Sequence, residues 1–218
     1  AAIYGNIQLA QIEMQGDRDS AQAHLEEAIK SVEHAIQLTK RFLLLSKHTW
    51  PRMSSGSVGN ILEAIVKEYN LYQDVNFELS IDDDLWPLEL DETMLSQALK
   101  SVIDNAIEAI SEEGTVRITA QNRDLDEKSF NWNLPVKPGR FVNIQVKDSG
   151  PGIASTDMNR IFDPYFSTKE RGSQKGMGLG LTTAYSILKN HDGHINVLSK
   201  PGEGTTVDLY LPLATRDE

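Results

Sequence analysis

The stretch KGMGLGL at residues 175–181 places glycine at 176, 178 and 180 and runs straight into LTTAYSILKNH, whose apolar spacing is helical. Glycine loses more backbone entropy on folding than any other residue, so three on alternate positions mark a place where side chains would obstruct something. The N-terminus of a helix presents unpaired N–H groups and a partial positive charge, which suits an anion such as phosphate. Taken alone, the glycines read equally as a flexible surface loop. Lys169, Arg171 and Lys175 lie just before them, as a local cationic patch or as a solvated loop.

Composition narrows the field. A chain of 218 residues accommodates one large domain, or an ordinary domain plus a smaller piece. With 39% hydrophobic and 24% charged residues it has the make-up of a soluble globular protein, and no apolar run approaches the roughly 18 residues of a membrane span. The absence of cysteine excludes disulfides and thiolate metal sites and fits a cytoplasmic setting. A net charge of −11 repels nucleic acid and argues against a general phosphate-backbone binder.

Periodicity divides the chain. In AAIYGNIQLA, Ile3, Ile7, Ala10 and Met14 follow a 4-3-4 spacing without initiator Met, signal layout or N-cap, so the chain is expected to start inside a helix with further sequence upstream. GDRDS (16–20) makes a turn with Ser20 as the expected cap, and Leu25, Ile29, Val32, Ile36, Thr39 and Leu43 form a heptad seam. Two such helices joined by a short turn give a hairpin over residues 1–48, which either docks on the downstream domain or pairs with a second copy as a homodimeric four-helix bundle. A homodimer through residues 1–48 is expected. Residues 49–57, with Pro, Gly and serines, read as a linker. From 58 to 218, helices at VGNILEAIVKEYN and 91–112 alternate with strands VNFELSI, TVRITAQ and FVNIQVKD, and a terminal hairpin joins HINVLS to TVDLYLPL. Asp91 is the expected cap of the second helix, and the polar stretch 122–140 is expected as a loop. The predicted class is α+β: the helical hairpin, then an α/β sandwich with one sheet covered on one face by helices.

Several polar residues stand out. On the 91–112 helix Val102, Ala106 and Ile110 fall on the apolar side and Ser101, Asp104 and Glu108 on the polar side, with Asn105 at the boundary. An amide oxygen at such an edge can ligate a hard cation such as Mg2+ or simply hydrogen-bond at the surface. In KDSGPGI, Asp148 follows a strand and could accept from an exocyclic amine, while Gly150 and Gly152 permit close approach. IFDPYFSTK supplies aromatics and Lys169, and GEGTT offers the hydroxyls of Thr205 and Thr206. Each has an ordinary reading as a turn or a small hydrophobic cluster.

Their order is more specific than any one of them. DNAIEA, DSGPGI, FDPYF, GMGLGL and GEGTT resemble the N, G1, F, G2 and G3 boxes of the histidine-kinase branch of the Bergerat (GHKL) ATP-binding superfamily. The glycines do not match the dinucleotide GxGxxG, and no GxxxxGK[ST] loop is present. AIYGNIQLA and TKRFLLLSKH look like the dimerisation and histidine-phosphotransfer hairpin of sensor histidine kinases. The resemblance implies a catalytic core that binds ATP and Mg2+, dimerises, autophosphorylates a histidine and passes the phosphoryl group to a response regulator receiver domain. It implies Asn105 as the Mg2+ ligand, Asp148 as the partner of the adenine amine, and Gly150, Gly152 and Ile153 around the adenine. Phe166, Lys169, Gly176, Met177, Gly178, Leu179, Gly180 and Leu181 would form the wall and lid over the phosphates, with Lys169 and Asn105 catalytic, and Thr205 would reach adenine through water. The acceptor histidine is expected before residue 1, so this chain alone should not autophosphorylate. His24, His34, His48, His191 and His194 read as helix-surface, linker or loop residues. Ser101 departs from the Asn or Glu common four residues before the metal-binding Asn. A Glu there serves as general base in water-splitting relatives, so Ser101 weighs against the alternatives of a GHKL ATPase or an anti-sigma-type serine kinase. Intact motifs weigh against an inactive docking module.

Overall fold

The computed structural model describes residues 2–14, 16–45, 51–70, 75–110, 113–126, 138–167 and 178–213, with side chains of the second helix described through residue 32. The chain forms two compact units, Ala1–Thr49 and Trp50–Glu218.

The first unit is a helical hairpin of α1 (Ala2–Glu13) and α2 (Arg18–Leu45). Asp17, rather than Ser20, caps α2: its Oδ1 accepts from the Ser20 amide at 3.1 Å, which makes Ser20 the third helical residue instead of the cap. Small side chains face inward, with Ala10, Ala21 and Ala28 buried, so the two helices approach closely. The apolar seam lies elsewhere. Leu25, Ile29 and Val32 on α2 are exposed, as are Ile7, Leu9 and Ile12 on α1. Ile36, Thr39, Leu43, His34 and His48 lie outside the residues whose side chains are described.

The second unit opens with a short strand, β1 (Ser54–Gly56), inside the stretch expected as linker. Then come α3 (Val58–Tyr69), β2 (Val75–Ile81), β3 (Leu88–Leu90), α4 (Glu92–Ala109), β4 (Gly114–Leu125), β5 (Gly139–Asp148), a single 3-10 turn at Met158–Arg160, α5 (Gly180–Asn190), β6 (His194–Lys200) and β7 (Gly204–Pro212). β1 pairs antiparallel with β3; the larger sheet has the order β2-β4-β5-β7-β6, with only β2–β4 parallel. The expected loop at 122–140 is shorter than its polarity suggested, because Asn122–Leu125 and Gly139–Val142 continue the β4–β5 ladder. Backbone pairing accommodates polar residues on the solvent side of such an extension. Residues 127–137 lie outside the description.

Register explains the core. Strand alternation sends residues i, i+2 and i+4 to one face, so Ile144, Leu209 and Ile195 form one cross-strand row and Val146, Val207 and Val197 the next. These rows are buried together with Val116, Ile118 and Ala120 of β4. Leu62 and Ile65 of α3, Leu95, Leu99 and Ile103 of α4, and Ile187 and Leu188 of α5 supply the buried apolar residues of the helix layer. Each fully buried side chain of this type contributes roughly 1.5–3 kcal/mol. Among the described residues no helix is long and apolar enough to cross a membrane.

Asp91 anchors the start of α4. Its Oδ1 accepts from the Met94 amide at 3.0 Å and its Oδ2 from the Arg52 amide at 2.9 Å. Its own amide donates to Nε2 of His191 at 3.0 Å, and Nδ1 of His191 lies 2.8 Å from the Ile187 carbonyl oxygen. That carbonyl can only accept, so Nδ1 carries the ring proton. His191, expected at the surface, is therefore buried, because it closes the far end of α5 against α4. Burial alone would raise the Asp91 carboxyl, but amide donors including Met94 and Arg52 outweigh it and hold the group below its ordinary value. A depressed carboxyl stabilises the fold above its unfolded pKa and loses that contribution as pH falls. Asp91→Ala should lower the unfolding free energy by about 1 kcal/mol near neutral pH, and the gap from wild type should close on acidification; urea titrations across pH measure both.

Candidate nucleotide site

The cross-strand rows end on a polar rung. After Val142, Ile144 and Val146, the next core-facing residue of β5 is Asp148; after Val207 on β7 comes Thr205, and after Val197 on β6 comes Ser199, which pairs with Thr205. The alternation that buries three hydrophobic residues therefore also buries a carboxylate, which is 5% exposed. Its Oδ1 accepts from the Gly150 amide at 2.8 Å and the Thr205 amide at 3.1 Å. Desolvation nevertheless dominates and pushes the Asp148 carboxyl above its ordinary value. Two strand-end segments are tied beside it. The Gly202 amide donates to the Pro151 carbonyl at 2.7 Å, and the Ile153 amide donates to Ser199 Oγ at 2.8 Å.

The second wall is made by α4 and α5. Met94, Ala98, Ser101 and Asn105 recur at helical spacing on one stripe of α4, and the Asn105 end of that stripe meets the first residue of α5. A Cβ on Gly180 would lie 2.7 Å from Asn105 Nδ2 and 2.8 Å from its Oδ1, so a larger residue there would have to push the Asn105 amide aside. Ser101, expected on the polar side, is buried because it shares this stripe. Among the described residues α5 has no side-chain cap, and its first turn holds no acidic residue; the N-terminus of a helix carries a partial positive charge that suits an anion.

The segment around residues 161–167 is fastened to the same place. Gly178 has φ +62°, and a Cβ there would come within 2.3 Å of the Phe166 carbonyl oxygen. Its own carbonyl accepts from the Tyr165 amide at 2.9 Å, while Thr182 Oγ1 donates to the Phe162 carbonyl at 3.0 Å. The Arg160 guanidinium stands 4.4 Å over the Phe166 ring.

These pieces enclose a cavity of about 520 Å3, within the range of small-ligand sites. Of the residues singled out by sequence, Asn105, Asp148, Gly152, Ile153, Phe166, Gly178, Gly180, Leu181 and Thr205 line it. Gly150 sits behind Asp148 as a donor, and Leu179 is 1% exposed in the core, outside the cavity lining. Lys169, Gly176 and Met177 lie outside the described residues. The site residues read from the sequence leave out the apolar walls Val102, Ala106, Val146, Ile161 and Val207, although all five lie in helices, motifs or strands already in view. It also passed over Ser199, for which its place opposite Thr205 in the hairpin was the available signal. Asn105 and, one turn later, Glu108 bring hard oxygen donors to the cavity. Among the described residues no three His, Cys, Asp or Glu side chains converge as a metal cage.

A mixed sheet backed by helices, with a cavity between two helices and the polar ends of three strands, defines an α+β domain. The chain belongs to the histidine kinase-, DNA gyrase B- and HSP90-like ATPase family, whose model matches residues 90–215. Its relatives place it with the sensor histidine kinases. It is 30% identical over 216 residues to the signal transduction histidine-protein kinase AtoS of Escherichia coli (strain K12), covering 97% of this chain and 32% of that protein. The chain spans less than a third of the length of the first curated relatives it matches. Full-length ShkA in complex with AMPPNP shares the fold at TM-score 0.71 and 20% identity, over 98% of this chain and 43% of that one. Histidine kinase ThkA in complex with the response regulator protein TrrA does so at TM-score 0.68 and 20% identity, over 99% and 60%.

A raised carboxyl favours the protonated folded state, so Asp148 contributes stability below its unfolded pKa and loses it as pH rises through the folded value. Asp148→Asn keeps an oxygen for the Gly150 and Thr205 amides while removing the charge. The variant should unfold at equal or higher denaturant than wild type near neutral pH, with a flatter acid-side pH profile, and should lose adenine-nucleotide binding. Paired urea and nucleotide titrations test this.

Proposed function

We propose that residues 58–218 form the catalytic ATP-binding domain of a sensor histidine kinase, joined through 49–57 to a dimerising hairpin at 1–48. The convergence of Asn105, Asp148, Thr205 and the start of α5 on one cavity carries the reading. At the sheet end, Asp148 accepts a hydrogen bond from the adenine amine, with Ile153 and the apolar walls against the ring. Asn105 offers its amide oxygen to Mg2+, and the α5 N-terminus attracts the phosphates, with Gly176, Met177 and Lys169 of the adjoining stretch completing the lid. Bound Mg2+ supplies charge neutralisation on the phosphates. The protein's part in γ-phosphoryl transfer to a histidine is positioning and shielding from water, as expected for in-line displacement. ShkA is described with AMPPNP bound and ThkA with a response regulator; ATP and a receiver domain are the corresponding ligand and partner proposed here. Ser101 in place of an acidic residue supports transfer to protein over hydrolysis, because no carboxylate stands there to activate water.

ATP titrations with and without Mg2+ test the site. Wild type should bind with Mg2+-dependent affinity, and Asn105→Ala should lose at least about tenfold of it. Metal-independent or undetectable binding by wild type would refute the reading, and rapid phosphate release would favour a hydrolase.

The exposed seam supports the dimer. Ile12 is 74% exposed and Ile29 58% in a single copy, a cost that a second hairpin removes. Sedimentation should find a dimer for wild type and a monomer for Ile29→Glu combined with Val32→Glu.

A further inference from the structure

α4 ends at the cavity, and its last turn carries an acid. Asn105, Ala106, Glu108 and Ala109 all line the cavity, and Asn105 stands against Gly180, the first residue of α5. The final carbonyls of a helix carry a partial negative charge, so a carboxylate in the last turn is unfavourable there and a cation favourable. α4 reverses the usual arrangement, with Glu108 and no basic residue in that turn. Asp104, the other acid of this stretch, is engaged on the α3 side, where it accepts from the Tyr69 hydroxyl at 2.6 Å. Glu108 follows Asn105 by three residues, and side chains at that spacing are neighbours on one helix face. Two opposite poles therefore meet at this end of the cavity: the positive start of α5 and the negative end of α4, to which Glu108 adds a full charge.

We propose that Glu108 makes this end of the cavity selective for a triphosphate that carries a divalent cation. The inference rests on the nucleotide reading above and adds the residue that decides which form of the nucleotide is accepted. The start of α5 attracts phosphate with or without a cation, and the Asn105 amide is neutral, so neither opposes the bare anion. Glu108 does. Its carboxylate and the carbonyl end of α4 repel an uncompensated triphosphate and attract the same triphosphate once a cation is attached. Mg2+ is commonly held through one or two carboxylates together with substrate phosphates and retained water, and Glu108 brings a carboxylate where Asn105 brings only an amide. Its charge at a helix C-terminus is a cost in the empty domain that the cation of the bound complex offsets.

The test is titration of the whole chain with ATP in excess Mg2+ and in EDTA, at low and at high salt. Wild type should bind the Mg2+ complex more tightly. Glu108→Gln should tighten binding in EDTA and weaken it in Mg2+, narrowing the Mg2+/EDTA affinity ratio about fivefold, the worth of one partly screened charge contact. The narrowing should shrink as salt rises, and Glu108→Asp, which keeps the charge, should restore most of the ratio. Asn105→Ala should lose affinity in Mg2+ without gaining any in EDTA, since it removes no charge. A loss shared equally by both arms would mean a merely structural role for Glu108 and would overturn the inference, as would a narrowing indifferent to salt. If bare ATP binds too weakly to titrate in either protein, the Mg2+ arm decides: undiminished affinity of Glu108→Gln overturns the proposal. A Mg2+-dependent wild type with an unchanged ratio in Glu108→Gln refutes this inference alone; absence of nucleotide binding by wild type refutes the nucleotide reading and this inference with it.

Discussion

The buried carboxylate of Asp148 is the constraint around which the site is organised. Placing a charge at the end of an apolar strand row is unfavourable in a low-dielectric interior unless donors surround it. Two donors come from backbone amides, one on the loop after its own strand and one on the neighbouring strand. They do not offset the whole cost, since the carboxyl remains shifted toward its protonated form. A ligand bringing a further donor is stabilised by that shortfall.

The opposite wall depends on a helix pair pinned at both ends. The start of α4 bonds the residue that ends α5, through Asp91 and His191. Late in α4, Asn105 stands against the first residue of α5, Gly180. The helices are therefore antiparallel, and one pair carries both a metal-ligand candidate and an anion-attracting helix terminus. Small residues on the α4 stripe, Ala98 and Ser101, suit the close packing this requires.

Much of this was legible in the residues. Strand alternation over 75–81, 141–148 and 206–212 gave the sheet, and Asp91 gave the start of α4 because a capping carboxylate has a local signature. The ordered glycine motifs marked the segments that meet at the cavity, since glycine is required where backbones come too close for a Cβ. Other features depend on tertiary partners. β1 is too short and polar to stand out until Leu88–Leu90 pairs with it. Ser101 looks polar in a helical projection, yet the packing of α5 decides its burial. His191 has no motif, and the bond that ties it to α4 comes from Asp91, a hundred residues away in sequence. The heptad seam was visible, but the hairpin contact runs through Ala10, Ala21 and Ala28 instead, because alanine allows the closer approach and leaves the larger side chains facing outward.

In the proposed function, distant backbone segments converge on one purine nucleotide held through its divalent ion. The most direct measurement is a crystal structure of the chain grown with Mg2+ and a non-hydrolysable ATP analogue. The account predicts the exocyclic amine within hydrogen-bond distance of Asp148, the metal on the Asn105 amide oxygen and the phosphates at the start of α5. Nucleotide bound elsewhere, or lying in the cavity with its base directed away from Asp148, would contradict it.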